Sequence, residues 1–101
     1  GISISSDGTY ALIVDRNNAQ IRQIIISNVL VSFVAGGSTG STNGIGTNAK
    51  FNALRNIVIS PDNLYALLTE RNGNRIRKLV ISTSEVSTLA GNIYGKLDGI
   101  G

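Results

Sequence analysis

The side chains able to do chemistry are few, and they recur. Asp15-Arg16-Asn17-Asn18 is matched further along the chain by Glu70-Arg71-Asn72-Gly73. Each stretch sets a carboxylate beside an arginine and an amide, groups that can hydrogen-bond a polar or charged ligand. The same residue types also bond to the backbone of their own turn. Arg16 and Arg71 can meet phosphate or carboxylate groups, or stay solvated. Lys50 and Arg55 add two cations between the stretches. Arg22 and Arg77 lie within the third strand expected in each unit, where pairing with Asp15 or Glu70, or with a carboxylate of a neighbouring sheet, is expected before ligand contact.

Catalysis has little to work with. The chain has no histidine and no cysteine, which removes the commonest general base, the commonest zinc ligand and any thiolate nucleophile. Acid–base work would fall to the six carboxylates Asp7, Asp15, Asp62, Glu70, Glu85 and Asp98. Asp7 and Asp62 are expected on the opposite face from Asp15 and Glu70, and the recurrence of Asp15 and Glu70 points to a structural part in each unit. No catalytic residue is assigned, and the chain is read as non-enzymatic. Asn43 and Asp98 occupy matching loop positions and can meet a cation. A lone carboxylate lacks the clustered oxygens that calcium needs, so no metal is expected. Gly44-Ile45-Gly46-Thr47-Asn48-Ala49 has the spacing of a dinucleotide loop, but that fingerprint needs a helix after it. A strand follows instead, so no cofactor is expected. The glycines are read as serving a tight loop.

These residues are positioned by a repeat. Residues 1–46 align without a gap on residues 56–101, and roughly 21 of the 46 positions are identical. The identities run through the whole unit: Tyr10-Ala11-Leu12 with Tyr65-Ala66-Leu67, Ile21-Arg22 with Ile76-Arg77, Ala35-Gly36 with Ala90-Gly91, and Gly44-Ile45-Gly46 with Gly99-Ile100-Gly101. Each unit reads as four short strands. In the first unit they are Ile2–Ser5, Tyr10–Val14, Ile21–Ile26 and Val31–Ala35. In the second they are Ile57–Ser60, Tyr65–Thr69, Ile76–Ile81 and Val86–Ala90. Ser6-Asp7-Gly8 and Pro61-Asp62-Asn63 make the first turns, and the carboxylate–arginine stretches make the second. A long Gly/Ser/Thr/Asn loop over 36–55 joins the units, with Phe51 expected to plug the space between them.

The middle strands carry the architecture. Ala11–Val14, Ile24–Ile26, Ala66–Leu68 and Leu79–Ile81 are unbroken apolar runs. A strand with one wet face alternates; a continuous run calls for cover on both faces. Radial stacking of four-stranded sheets supplies that cover, whereas a two-sheet sandwich covers one face only. The fold class is therefore all-β: two four-stranded antiparallel blades of a β-propeller. The domains are blade 1 over 1–46, an interblade loop over 47–55 and blade 2 over 56–101.

The unit resembles the NHL repeat. The marks are Ala49-Lys50-Phe51 before a strand, Ile57-Val58-Ile59-Ser60-Pro61-Asp62 around the first turn, Asp15 to Arg22, similar to the family's D-x-x-N-x-x-I motif, and Leu89-Ala90-Gly91 at the last strand. The first copy departs at Ser6, where the family has proline. The second departs at Glu70 and Gly73, and Asn56 replaces a common glycine. The resemblance implies a propeller of about six blades acting as a binding platform; some relatives bind RNA or protein and a few host an enzyme. It bears on fold far more than on function.

Two blades do not close a ring, so further propeller blades are expected, from a longer parent chain or from self-association, three copies giving six blades. A meander sends alternate loops to opposite ends, which puts the second turn and the interblade loop on one face. The ligand-binding candidates on that face are Asp15, Arg16, Asn17, Asn18, Lys50, Arg55, Glu70, Arg71 and Asn72, with the alternative that these loops are spacers. The functional expectation is an interaction or structural module binding a protein or glycan partner. The alternatives are RNA binding through Arg16, Lys50, Arg55 and Arg71, and a fragment of a propeller enzyme. The net charge of +3 is scattered except at Arg75, Arg77 and Lys78, so nucleic acid is the weaker partner. No stretch is apolar for long enough to expect membrane insertion. The first residues show neither a basic nor a long apolar segment, so no secretory signal is expected in them. The compartment stays open, with an extracellular or cell-surface setting favoured.

Overall fold

The structure, a computed structural model, describes residues 1–71 and 75–91. Two antiparallel sheets follow one another along the chain. The first has the order β1-β2-β3-β4, formed by Ile2–Ile4, Tyr10–Asp15, Gln20–Ile25 and Leu30–Gly36. The second has five strands in the order β5-β9-β8-β7-β6: Gly44–Ile45 (β5), Leu54–Ile59 (β6), Tyr65–Glu70 (β7), Arg75–Val80 (β8) and Glu85–Ala90 (β9). Eight strands fall within a few residues of those expected. The ninth, β5, lies in what the sequence presents as loop. It pairs Gly44 with Val86 and Ile45 with Glu85, so the second blade gains an outer strand from the chain between the blades. Among the described residues the helical content is two three-residue 3-10 turns, Arg16–Asn18 and Gly46–Asn48.

The turn chemistry explains why the strands reverse where they do. Ser5 Oγ donates to Asp7 Oδ1 at 2.7 Å and accepts from the N–H groups of Thr9 and Tyr10. Asp7 also accepts from the N–H and hydroxyl of Thr9. The second unit repeats the device: Ser60 Oγ donates to Asp62 at 2.6 Å and accepts from the Tyr65 N–H, while the Leu64 N–H donates to Asp62. These bonds stabilise the carboxylate forms and hold both aspartates below their ordinary pKa, the serine hydroxyl being the largest cause in each. Opposite Ile21 and Arg22 of β3 the register shifts by one residue, with Val34 of β4 as the extra residue, and opposite Ile76 and Arg77 of β8 it shifts in the same way at Leu89 of β9. The extra residue re-aims the side chains beyond it, and in both sheets it falls across from the recurring arginine.

The sheets meet face to face across one joint. Leu12, Val14, Ile21 and Ala35 of the first sheet pack with Ile57, Ile59, Ala66, Leu68, Leu79 and Val86 of the second, together with Ala49, Phe51 and Leu54. Cross-strand partners share a face. The registers Ile57↔Leu68↔Arg77 and Ile59↔Ala66↔Leu79↔Val86 therefore identify the buried face of the second sheet. At the far end of the joint the turns bond to one another: the Ser6 N–H donates to Asn63 Oδ1 at 3.0 Å, and Asn63 Nδ2 donates to Ser6 Oγ at 2.9 Å. The Ile59 N–H donates to Ser3 Oγ at 3.0 Å.

The apolar runs call for cover on both faces of each sheet. Among the described residues each sheet has one face covered. The free face of the first sheet carries Ile2, Ile4, Ala11, Ile13, Ile24, Val31 and Phe33, by the registers Ile2↔Ile13↔Arg22↔Phe33 and Ile4↔Ala11↔Ile24↔Val31. Ile2 is 63% exposed and Ile4 59%.

Candidate functional site

The interblade loop and the second turns do share one end of the molecule. The Gly37 N–H donates to the carbonyl of Ala19 just past the first of these turns. At the second, Ser41, Thr42, Asn43, Lys50 and Asn52 all contact residues flanking the turn.

In the first blade Asp15 serves its own turn. Asn18 Nδ2 donates to Asp15 Oδ2 at 2.9 Å and Gln20 Nε2 at 3.1 Å. These two bonds, with a weaker contribution from Arg22 at 3.8 Å, hold the Asp15 carboxyl below its ordinary pKa. The turn is a 3-10 element closed by Ala19 at φ 52°, so the positive φ falls on alanine rather than on the neighbouring asparagines. Arg16 and Asn17 project into solvent.

The matching pair in the second blade is built into the joint. Glu70 and Arg77 have no exposed side-chain surface, and Arg77 Nη1 donates to Glu70 Oε2 at 3.1 Å. Arg77 spends its remaining Nη donors on the interblade loop: the carbonyl of Lys50 at 2.9 Å, the carbonyl of Thr42 at 3.0 Å and Asn43 Oδ1 at 3.0 Å. Its guanidinium stands 5.2 Å from the centre of the Phe51 ring. Burial draws the Arg77 pKa below its ordinary value, and Glu70 opposes that shift. Glu70 also accepts from Arg75 Nε at 3.1 Å and from the Asn52 N–H at 2.7 Å, and Arg75 bonds Ser41 as well. The Arg77 Nε has no partner. A buried ion pair bound to loop carbonyls fixes where the loop lies, and this one sets Phe51 into the joint with no exposed surface.

The sequence-derived candidates thus separate. Arg16, Asn17, Asn18, Lys50, Arg55 and Arg71 are exposed. Asp15 is half-buried and tied to its turn. Glu70 is buried in the ion-pair network. Asn72 lies outside the described residues, as do Gly73 and Asp98. Arg16, Lys50, Arg55 and Arg71 form no ion pair among the described residues. Among the described residues the exposed charge of this end is therefore cationic, because Asp15 and Glu70 are internally committed. Gly44–Ala49 adopts β5 and the Gly46–Asn48 turn, after which Ala49 is extended. The backbone that a dinucleotide fingerprint requires is absent there.

A second concave feature lies on the free face of the first sheet. It is a shallow cleft of about 390 Å³ lined by Ile13, Val14, Asp15, Arg22 and Val31. Among the described residues no group of three or more His, Cys, Asp or Glu side chains could hold a metal ion, and no helix is long and apolar enough to cross a membrane.

No family model and no curated protein matches this chain. Solved structures do. An auxiliary nutrient binding protein from Bacteroides thetaiotaomicron matches with a TM-score of 0.71 at 24% identity, over 86% of this chain and 24% of that one. A chain of a nidogen/laminin complex matches with a TM-score of 0.65 at 16% identity, over 91% of this chain and 31% of that one. The present chain therefore spans a quarter to a third of the chains it resembles. At these identities the likeness concerns fold, and the fold is β-propeller-like: stacked antiparallel blades.

Proposed function

We propose that this chain is a non-enzymatic interaction module, part of an NHL-type β-propeller, and that the loop end of its blades binds an anionic protein or glycan partner. The observation that carries the proposal is the set of four exposed, unpaired cations at that end: Arg16, Lys50, Arg55 and Arg71. Arg16 and Arg71 stand on turns, Lys50 on the interblade loop and Arg55 at the start of β6, all at the loop end of a rigid scaffold, the usual location of binding residues. The nearby carboxylates do not neutralise them, since Asp15 bonds Asn18 and Gln20 while Glu70 bonds Arg75 and Arg77.

The same cations favour a second reading, binding of single-stranded RNA. Both readings are tested by titrating the chain with heparin, with polyglutamate and with single-stranded RNA over a series of salt concentrations. The proposal expects heparin or polyglutamate to bind, salt to weaken the binding, and Arg16→Ala with Arg71→Ala to weaken it further. Tighter binding of RNA, with a steep salt slope from counterion release, transfers the function to the second reading. Absence of binding to all three at low salt overturns both.

A further inference from the structure

The joint between the blades has two unlike sides, and both sides occur again at the outer ends of the pair, uncovered among the described residues. One side is the face of the second sheet that carries Ile57, Ile59, Leu79 and Val86 with the Glu70–Arg77 pair. Its counterpart by repeat is the free face of the first sheet, with Ile2, Ile4, Ile24 and Val31 and the Asp15–Arg22 pair. Exposure is the main difference. Ile57 is 4% exposed and Ile2 63%; Ile59 is 8% and Ile4 59%; Val86 is 1% and Val31 42%. The other side of the joint is the face of the first sheet with Tyr10, Leu12, Val14 and Ile21. Its counterpart is the free face of the second sheet, with Tyr65, Leu67, Thr69 and Ile76.

We infer that the free face of the first sheet is a docking site for a second copy of this chain, seated through the free face of its second sheet. The internal joint is the template. Where Ser3 meets Ile59 in the observed joint, Val58 of one copy meets Ile4 of the other in the docked one. Val58 is 64% exposed in the single chain. The two surfaces differ, so the contact is head-to-tail, and successive copies either close a ring or extend. This inference stands apart from whatever the loop end binds, because it uses the sheet faces.

Two charged substitutions test it. Ile4→Glu blocks the head face and leaves the tail open; Val58→Glu does the reverse. Both sites are exposed in the single chain, so folding should be unaffected. Sedimentation velocity should show the unsubstituted chain associating with rising concentration. Each variant alone should stay at the monomer mass of 10.6 kDa. A mixture of the two should give a species of twice that mass and no larger one, since one open head meets one open tail. Ile2→Glu and Thr69→Glu make a second pair if either first variant fails to fold. A monomeric unsubstituted chain at all concentrations overturns the inference. So does continued assembly of the single variants, which means unspecific adhesion, or a mixture that stays monomeric, which leaves the head face to some other occupant.

Discussion

Asp15–Arg22 and Glu70–Arg77 are the same pair at the same place in two copies of one repeat, yet they differ in almost every physical respect. The first pair is 3.8 Å apart with Arg22 43% exposed; the second is 3.1 Å apart with neither side chain exposed. What separates them is the neighbour. The interblade loop and the first sheet cover Glu70 and Arg77, supply carbonyls to the guanidinium and exclude water. Among the described residues no sheet or loop stacks over Asp15 and Arg22. The energetic weight of a conserved-looking charge pair in a repeat protein is set by what stacks on it, not by the pair.

That contrast predicts unequal costs. Arg77→Ala leaves Glu70 without its buried partner and should destabilise by about 3–5 kcal/mol, whereas Arg22→Ala should cost less than about 1 kcal/mol. Urea unfolding in the Ile4→Glu background, in which no second copy covers the head face, reads both. Equal losses would mean that the blades are energetically alike and would break the comparison.

The apolar side chains sharpen it. Ile57→Ala removes a buried side chain at the joint and should cost about 2–5 kcal/mol. Ile2→Ala, at the matching but exposed position, should stay within about 0.5 kcal/mol. If Ile2→Ala costs as much in the unsubstituted chain but not in the Ile4→Glu background, the difference measures docking of the head face directly.

The smallest expected effect comes where the blades are alike. Asp7 and Asp62 are held below their ordinary pKa by matching serines, Ser5 and Ser60. A depressed folded pKa gives stability that is full above the unfolded value, near ~3.9, and is lost as pH falls through the folded value. Asp7→Asn and Asp62→Asn should therefore flatten the acid decline of the urea midpoint to a similar degree. Unequal flattening would show that the blades differ at this end too.

The strands were legible because their apolar runs are long and the repeat aligned them twice. Phe51 as an interblade plug was also legible, an aromatic alone in a polar loop. β5 was not. A two-residue strand such as Gly44–Ile45 has no periodicity, and its only mark is one isoleucine between glycines. The unequal burial of the two charge pairs was invisible for a different reason. Arg22 and Arg77 are the same residue in matching contexts, and only the three-dimensional neighbour distinguishes them. The positive φ at Ala19 and Ala53 was equally hidden, because alanine carries no turn preference. The exposed cations could have been separated from Glu70 had its pairing with both Arg75 and Arg77 been weighed.

The fifth strand has a further consequence, for colloidal behaviour. β5 pairs with Glu85 and Val86 at the start of β9, which shortens the unpaired rim of the second blade on that side. Among the described residues the first blade has no such strand, and β4 hydrogen-bonds to β3 alone. Its segment Leu30-Val31-Ser32-Phe33-Val34 contains no charge and no proline, and Leu30, Val31 and Phe33 are exposed. An open edge of that composition is a template for strand addition between molecules. The two residues of β5 thus act as a gatekeeper for one blade, and the rim of the other is where unwanted cross-β growth would begin.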